Sequence, residues 1–209
     1  MKLMLTSFAH LTLDYLDKIC GQDYTKMKVA FIPTAADPYL DKGFILLDRK
    51  KLIDMGFSVD DIDIKEYQED DLAKVLSDYD IYFVAGGNAY YLLEQVIKTG
   101  FAKIIKKQLN RGKIFIGSSA GSILTCPTVD AARLFDPVSE AKNLTTFEGM
   151  GLVDFIVLPH FGKPKYMERI RQTIETWSAK GYHIYPLTDN QAILIDQDKI
   201  LLIDASVDI

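Results

Sequence analysis

Between Lys113 and Leu124 an apolar run, Lys113-Ile114-Phe115-Ile116, leads into Gly117-Ser118-Ser119-Ala120-Gly121 and then Ser122-Ile123-Leu124. A strand that enters a G-x-S-x-G turn and leaves as a helix puts its serine, here Ser119, on a nucleophile elbow. The chemistry asks for this spacing. The serine must sit on a sharp, strained turn, and Gly117, Ala120 and Gly121 are small enough to leave room for the adjoining strand and helix. The helix N-terminus and the Ala120 N–H then face the reacting carbonyl and supply one donor of an oxyanion hole. A flexible Gly/Ser turn or a helix cap is the bland alternative; the strand before and the helix after favour the elbow.

A serine nucleophile needs a base, and the chain has three histidines: His10, His160 and His183. His160 closes the apolar run Phe155-Ile156-Val157-Leu158-Pro159. The carboxyl end of a buried parallel strand faces the rim where α/β proteins hold their ligands, so His160 is the preferred partner of Ser119. His183 starts a strand and reads as structural. The acid that orients the imidazole is either Asp189, just after the run His183–Leu187, or Asp136, in an irregular stretch between Thr128 and Gly151. Asp189 also suits ordinary turn chemistry, and these residues alone leave both open.

A second glycine turn, Ala85-Gly86-Gly87-Asn88, follows an apolar run and opens a helical segment. Its N–H groups lie on the same rim as the elbow and can complete an oxyanion hole, although a tight turn capped by Asn88 explains it equally well. It lacks the spacing of the dinucleotide and nucleoside triphosphate loops.

The elements that position these residues alternate. Strands are expected at Lys2–Thr6, Lys28–Ile32, Asp61–Lys65, Ile81–Ala85, Lys113–Gly117, Phe155–Pro159 and His183–Leu187, with a terminal hairpin Gln191–Asp196 and Lys199–Asp204 at a sheet edge. Helices are expected at Leu11–Cys20, Tyr39–Met55, Asp70–Leu76, Ala89–Ile97, Ala102–Leu109, around Ser122–Leu124 and at Lys165–Lys180. Strands buried on both faces and joined by right-handed crossovers predict a three-layer, doubly wound α/β sandwich around a mostly parallel sheet. With no linker, low-complexity tract or internal repeat, residues 1–209 are expected to form one α/β domain.

Composition narrows the classes. Of 209 residues, 48% are hydrophobic and 25% charged, a balance that supports a real core. The net charge of −5, without a basic stripe interleaved with aromatics, removes nucleic acids from the expected partners. The two cysteines, Cys20 and Cys126, indicate neither a disulfide framework nor a metal site, and a reducing cytoplasm is the expected setting. No segment approaches the roughly 20 apolar residues that cross a membrane, and the first residues do not read as a signal peptide.

The chain resembles the peptidase E (aspartyl dipeptidase) and cyanophycinase group of serine peptidases. The resemblance is carried by Phe31-Ile32-Pro33-Thr34-Ala35, by Phe83-Val84-Ala85-Gly86-Gly87-Asn88 with Leu92-Leu93, by Ile116 to Gly121 followed by Cys126-Pro127-Thr128, and by Pro159-His160-Phe161. It implies a flavodoxin-like sandwich akin to class I glutamine amidotransferase domains. It also implies that Ser119 matches the nucleophile, His160 the base, Asp189 the place of the triad glutamate, and Gly87 and Ala120 the oxyanion donors. A further aspartate that the family needs is matched by Asp136.

Two departures stand out. Gly162-Lys163-Pro164-Lys165 is short where aspartyl dipeptidases have a long loop, and Tyr166 falls near the place of the arginine that meets the substrate's aspartate. A strict preference for N-terminal aspartate is therefore not implied, although Lys163, Lys165, Arg133 and above all Arg169 remain candidate cations for an acidic side chain. Asp189 is also one methylene shorter than the glutamate it replaces. The expected function is hydrolysis of short peptides by a serine exopeptidase through an acyl-enzyme, without metal or organic cofactor, as a monomer or homodimer, with Asn88, Asp136, Tyr166 and Arg169 as substrate contacts. An α/β-hydrolase esterase, using Asp136 or Asp154 with His160 or His183, and an inactive ligand-binding domain are the alternatives. A glutamine amidotransferase would need cysteine at Ser119.

Overall fold

A computed structural model describes residues 1–21 and 24–206. Its strands are β1 (Lys2–Thr6), β2 (Lys28–Ile32), β3 (Ser58–Asp61), β4 (Ile81–Val84), β5 (Ile114–Ser118), β6 (Ile156–Leu158), β7 (Ile184–Pro186), β8 (Gln191–Asp196) and β9 (Lys199–Asp204). Its α-helices are α1 (Asp17–Cys20), α2 (Gly43–Asp54), α3 (Glu69–Ser77), α4 (Ala89–Thr99), α5 (Phe101–Leu109), α6 (Ala120–Ile123) and α7 (Met167–Ala179).

Seven strands form one sheet in the order β3-β2-β4-β5-β1-β8-β9. The first five pair in parallel, and the β8–β9 hairpin adds an antiparallel edge beside β1. Successive side chains of a strand point to opposite faces, and the apolar residues follow that period of two. Leu3, Leu5, Ala30, Ile32, Tyr82, Val84 and Phe115 enter one core, with Leu72 and Leu76 of α3 and Leu92 and Val96 of α4. Met4, Val29, Phe31, Ile81, Phe83, Ile114 and Ile116 enter the other, with Ile19 of α1 and Ile45 and Leu52 of α2. Helices therefore cover both faces, which is the expected three-layer sandwich.

Three expectations need correction. The strand expected at Asp61–Lys65 lies earlier, at β3, because β3 is an exposed edge strand whose polar Ser58-Val59-Asp60-Asp61 carries little apolar signal. The chain then turns into a 3-10 helix at Ile64–Glu66, which buries Ile62 and Ile64 in the core. Leu11–Cys20 is not one helix; 3-10 turns at Ala9–Leu11 and Leu13–Tyr15 precede the short α1. Finally, β6 and β7 do not extend the main sheet. The edge of β1 is taken by β8, so they pair with each other in a separate parallel ribbon.

Candidate active site

The adjacent strands β4, β5 and β1 end together, and each delivers a residue to one rim. At the end of β5, Ser119 adopts φ 48° and ψ −105°, a strained backbone for a residue with a side chain. Two things hold it there. Its N–H donates to the Thr6 carbonyl at 3.0 Å, which continues the β1–β5 pairing. The α6 backbone also comes so close to β4 that a Cβ on Gly121 would sit 2.1 Å from the Val84 carbonyl oxygen, so only glycine fits.

His160 follows β6 and also has a positive φ, 65°. Its Nε2 lies 3.1 Å from Ser119 Oγ, and its Nδ1 lies 2.8 Å from Asp189 Oδ1. The short arm of Asp189 reaches because β6 and β7 pair at Leu158 and Pro186, so the two loops that carry His160 and Asp189 leave the ribbon side by side. Ser7, just after β1, ties the group together. Its Oγ accepts the His160 N–H at 2.9 Å and donates to Asp189 Oδ1 at 2.7 Å. The second carboxylate oxygen of Asp189 takes Lys163 Nζ at 2.5 Å. Burial alone would push the Asp189 carboxyl up, but hydrogen bonds from His160, Lys163 and Ser7 outweigh it and hold the group well below the usual carboxylate range. The line gives the Ser119 hydroxyl an accepting nitrogen and gives the imidazole a carboxylate that fixes its tautomer.

On the other side of Ser119 is the Gly86–Gly87 turn after β4. Gly87 has φ 145°, and a Cβ there would meet the Ala35 carbonyl oxygen at 2.0 Å. Among the described residues no hydrogen bond engages the N–H of Gly87 or of Ala120. A clip from the irregular stretch secures the turn: Asp136 Oδ2 accepts the Ala89 N–H at 2.8 Å, and Asn88 Nδ2 donates to the Pro137 carbonyl at 2.9 Å. Burial, offset only in part by that N–H, raises the Asp136 carboxyl to about 6.

Ser7, Gly86, Gly87, Ser119 and His160 line a cavity of about 370 Å³ whose walls also include Phe8, Tyr39, Phe44, Phe135, Asp136, Lys163, Lys165 and Tyr166. The Tyr166 ring lies 5.9 Å from that of His160 and 5.9 Å from that of Phe135. Two expected contacts fail. Asn88 is fully buried, and its side chain caps α4 by accepting from the Tyr90 and Tyr91 N–H groups, the helix-cap role that its sequence context also allowed. Arg169 is exposed on the first turns of α7 and absent from the cavity walls. Arg133 is likewise turned outward, onto Asp130 and the Phe147 ring. Among the remaining histidines, His10 holds Asp48, which also lines the cavity, and His183 is exposed.

Ser7 and Phe8 were missed by sequence reading. Ser7 follows β1, and only knowledge that β1 lies beside β5 would have placed it at the rim. Among the described residues no group of three or more His, Cys, Asp or Glu could hold a metal ion.

Comparison with known proteins gives the chain a family. The model of Peptidase family S51 matches residues 3–203. The uncharacterized peptidase Lmo0363 of Listeria monocytogenes is 33% identical over 173 residues, covering 83% of this chain and 84% of its own. The uncharacterized peptidase PM1590 of Pasteurella multocida is 30% identical and covers 93% of each. A 1.5 Å crystal structure of a candidate peptidase E protein from Listeria monocytogenes superposes with a TM-score of 0.88 at 28% identity, covering 97% of this chain and 98% of that one. With the family match running from β1 into β9, the chain belongs to peptidase family S51 and is a serine peptidase.

Proposed function

We propose that the chain is an exopeptidase for short peptides with a free N-terminus, acting through Ser119, His160 and Asp189. The observation that carries the reading is the unbroken line from Asp189 through His160 to Ser119, at 2.8 Å and 3.1 Å, ending on a serine with a strained backbone. His160 Nε2 takes the hydroxyl proton while Ser119 Oγ bonds to the scissile carbonyl carbon. The unengaged N–H groups of Gly87 and Ala120 receive the oxyanion. The imidazolium, stabilised by Asp189, returns its proton to the leaving amine as the C–N bond breaks. Water then opens the acyl-enzyme by the same steps in reverse roles.

Asp136 suits the substrate's α-ammonium. It lines the cavity, is half-buried, and has no Lys, Arg or His partner among the described residues. Tyr166 stands beside His160 as a wall of the same subsite. The free thiols of Cys20 and Cys126 suit a reducing cytoplasm; separately, no helix among the described residues is long and apolar enough to cross a membrane.

The test is hydrolysis of N-terminally free dipeptides and their N-acetylated counterparts by wild type and Ser119→Ala. The reading expects turnover of the free peptides, a loss of about 10³-fold or more in Ser119→Ala, and poor turnover of the acetylated set. Hydrolysis of simple esters without any peptide turnover would replace it by an esterase.

A further inference from the structure

The first side chain that the site accepts follows from the cavity walls, on the premise that the proposed peptidase reading holds. Beside Ser119 the cavity is aromatic. Phe44 reaches within 3.8 Å of where a Cβ on Gly86 would stand, and Gly86 in turn lies against the Ser119 side chain. Phe135 packs edge-on to Tyr166 at 5.9 Å, and Phe8 edge-on to His160 at 5.5 Å. Phe8, Phe44, Phe135 and Tyr166 are all half-buried, and each lines the cavity, so apolar ring surface faces the space a substrate would fill. A substrate side chain that covers this surface removes it from water, the favourable term in such pockets.

Charge points the same way. The two cations of the cavity are already engaged: Lys163 sits on Asp189 and 4.7 Å over the Phe8 ring, and Lys165 lies 4.5 Å over the Tyr166 ring. An acidic side chain would have to draw one of them away. It would find no free cation beside the two carboxylates of the walls, since Asp136 is taken by the substrate's own ammonium in the proposed reading and His10 is held by Asp48. A carboxylate desolvated there without a partner is costly.

We infer that the site takes peptides whose first side chain is apolar or aromatic, seated against Phe44 and Phe135, and that it discriminates against aspartate and glutamate at that position.

The experiment compares kcat/KM for Leu-X, Phe-X, Ala-X, Asp-X and Lys-X dipeptides with one common X, in wild type, Ser119→Ala, Phe44→Ala and Phe135→Ala, with thermal melts to confirm folding. The expected result is Leu-X and Phe-X faster than Asp-X by about 100-fold. Each phenylalanine variant should lose about tenfold on Leu-X and Phe-X and much less on Ala-X. If Phe44→Ala does not fold, Phe135→Ala carries the comparison alone. Ser119-dependent turnover with Asp-X or Lys-X equal to or faster than Leu-X would overturn the inference and leave the peptidase reading standing. Absence of any Ser119-dependent peptide turnover would overturn both.

Discussion

Ser7 contributes no atom to bond making, yet it touches both partners of Ser119: it accepts the His160 N–H and donates to Asp189 Oδ1. His160 sits in a backbone region that side chains disfavour, so its orientation depends on such anchors. Removing a hydrogen bond to a charged group costs about 1.5–3 kcal/mol. Ser7→Ala should therefore lower kcat by about ten- to a hundredfold with KM little changed. Ser7→Thr, which keeps the hydroxyl, should recover part of the loss. A change in KM alone, with kcat preserved, would show that Ser7 lines the pocket without positioning His160. At this scale the sequence was informative where a residue's place follows from its local motif. Ser119 and Ala120 belong to one turn and Gly87 to another, and all three lie on the rim. Asn88 and Arg169 misled, because nothing local distinguishes a capping asparagine from a ligand-facing one, or tells which way an arginine leaves the first turn of a helix.

Among the elements, the βα turn after β4 is held to tighter tolerances than its short sequence suggests. At φ 145°, with the Ala35 carbonyl oxygen 2.0 Å from where a methyl carbon would stand, Gly87 accepts no larger residue without displacing the Thr34–Ala36 turn. Gly87→Ala should cost about 2 kcal/mol or more of stability. It should also lower peptidase activity well beyond what the melting temperature explains, since the Gly87 N–H would be re-aimed. Denaturant unfolding paired with kinetics checks both, and a variant with wild-type activity would remove Gly87 from the oxyanion site. The elements themselves were largely legible: the parallel strands β1, β2, β4 and β5 and the terminal hairpin announce themselves as apolar runs bounded by turn residues. The failures have a common cause. Edge strand β3 and the 3-10 turns near the N-terminus are set by tertiary contacts, whereas their local apolar period is weak. The separation of β6 and β7 into their own ribbon depends on β8 occupying the edge of β1, a long-range fact that no segment encodes alone.

For the whole molecule, the two half-buried acids of the site pull stability in opposite directions with pH. Asp189 is held below its ordinary range, so the stability it contributes is complete above the unfolded carboxylate value, about 4, and is lost as the pH falls. Asp136 is raised to about 6, so folding favours its protonated form and the molecule loses stability as the pH rises from about 4 through about 6. Asp136→Asn keeps an oxygen for the Ala89 N–H and removes the buried charge. It should be more stable than wild type at pH 8 by about 1–3 kcal/mol, with the difference vanishing near pH 4. The same variant should lose activity on free N-terminal peptides, a stability gained against function. Equal stabilities at pH 8 would place the Asp136 charge in water rather than in the cavity wall.

The most direct measurement is intact mass and peptide mapping after treatment with a fluorophosphonate. The expected result is one adduct per chain, mapped to Ser119, absent in Ser119→Ala, and formed far more slowly in His160→Gln and Asp189→Asn. An unlabelled Ser119, or an adduct elsewhere in a protein that still hydrolyses peptides, would contradict the assignment of Ser119 as the nucleophile.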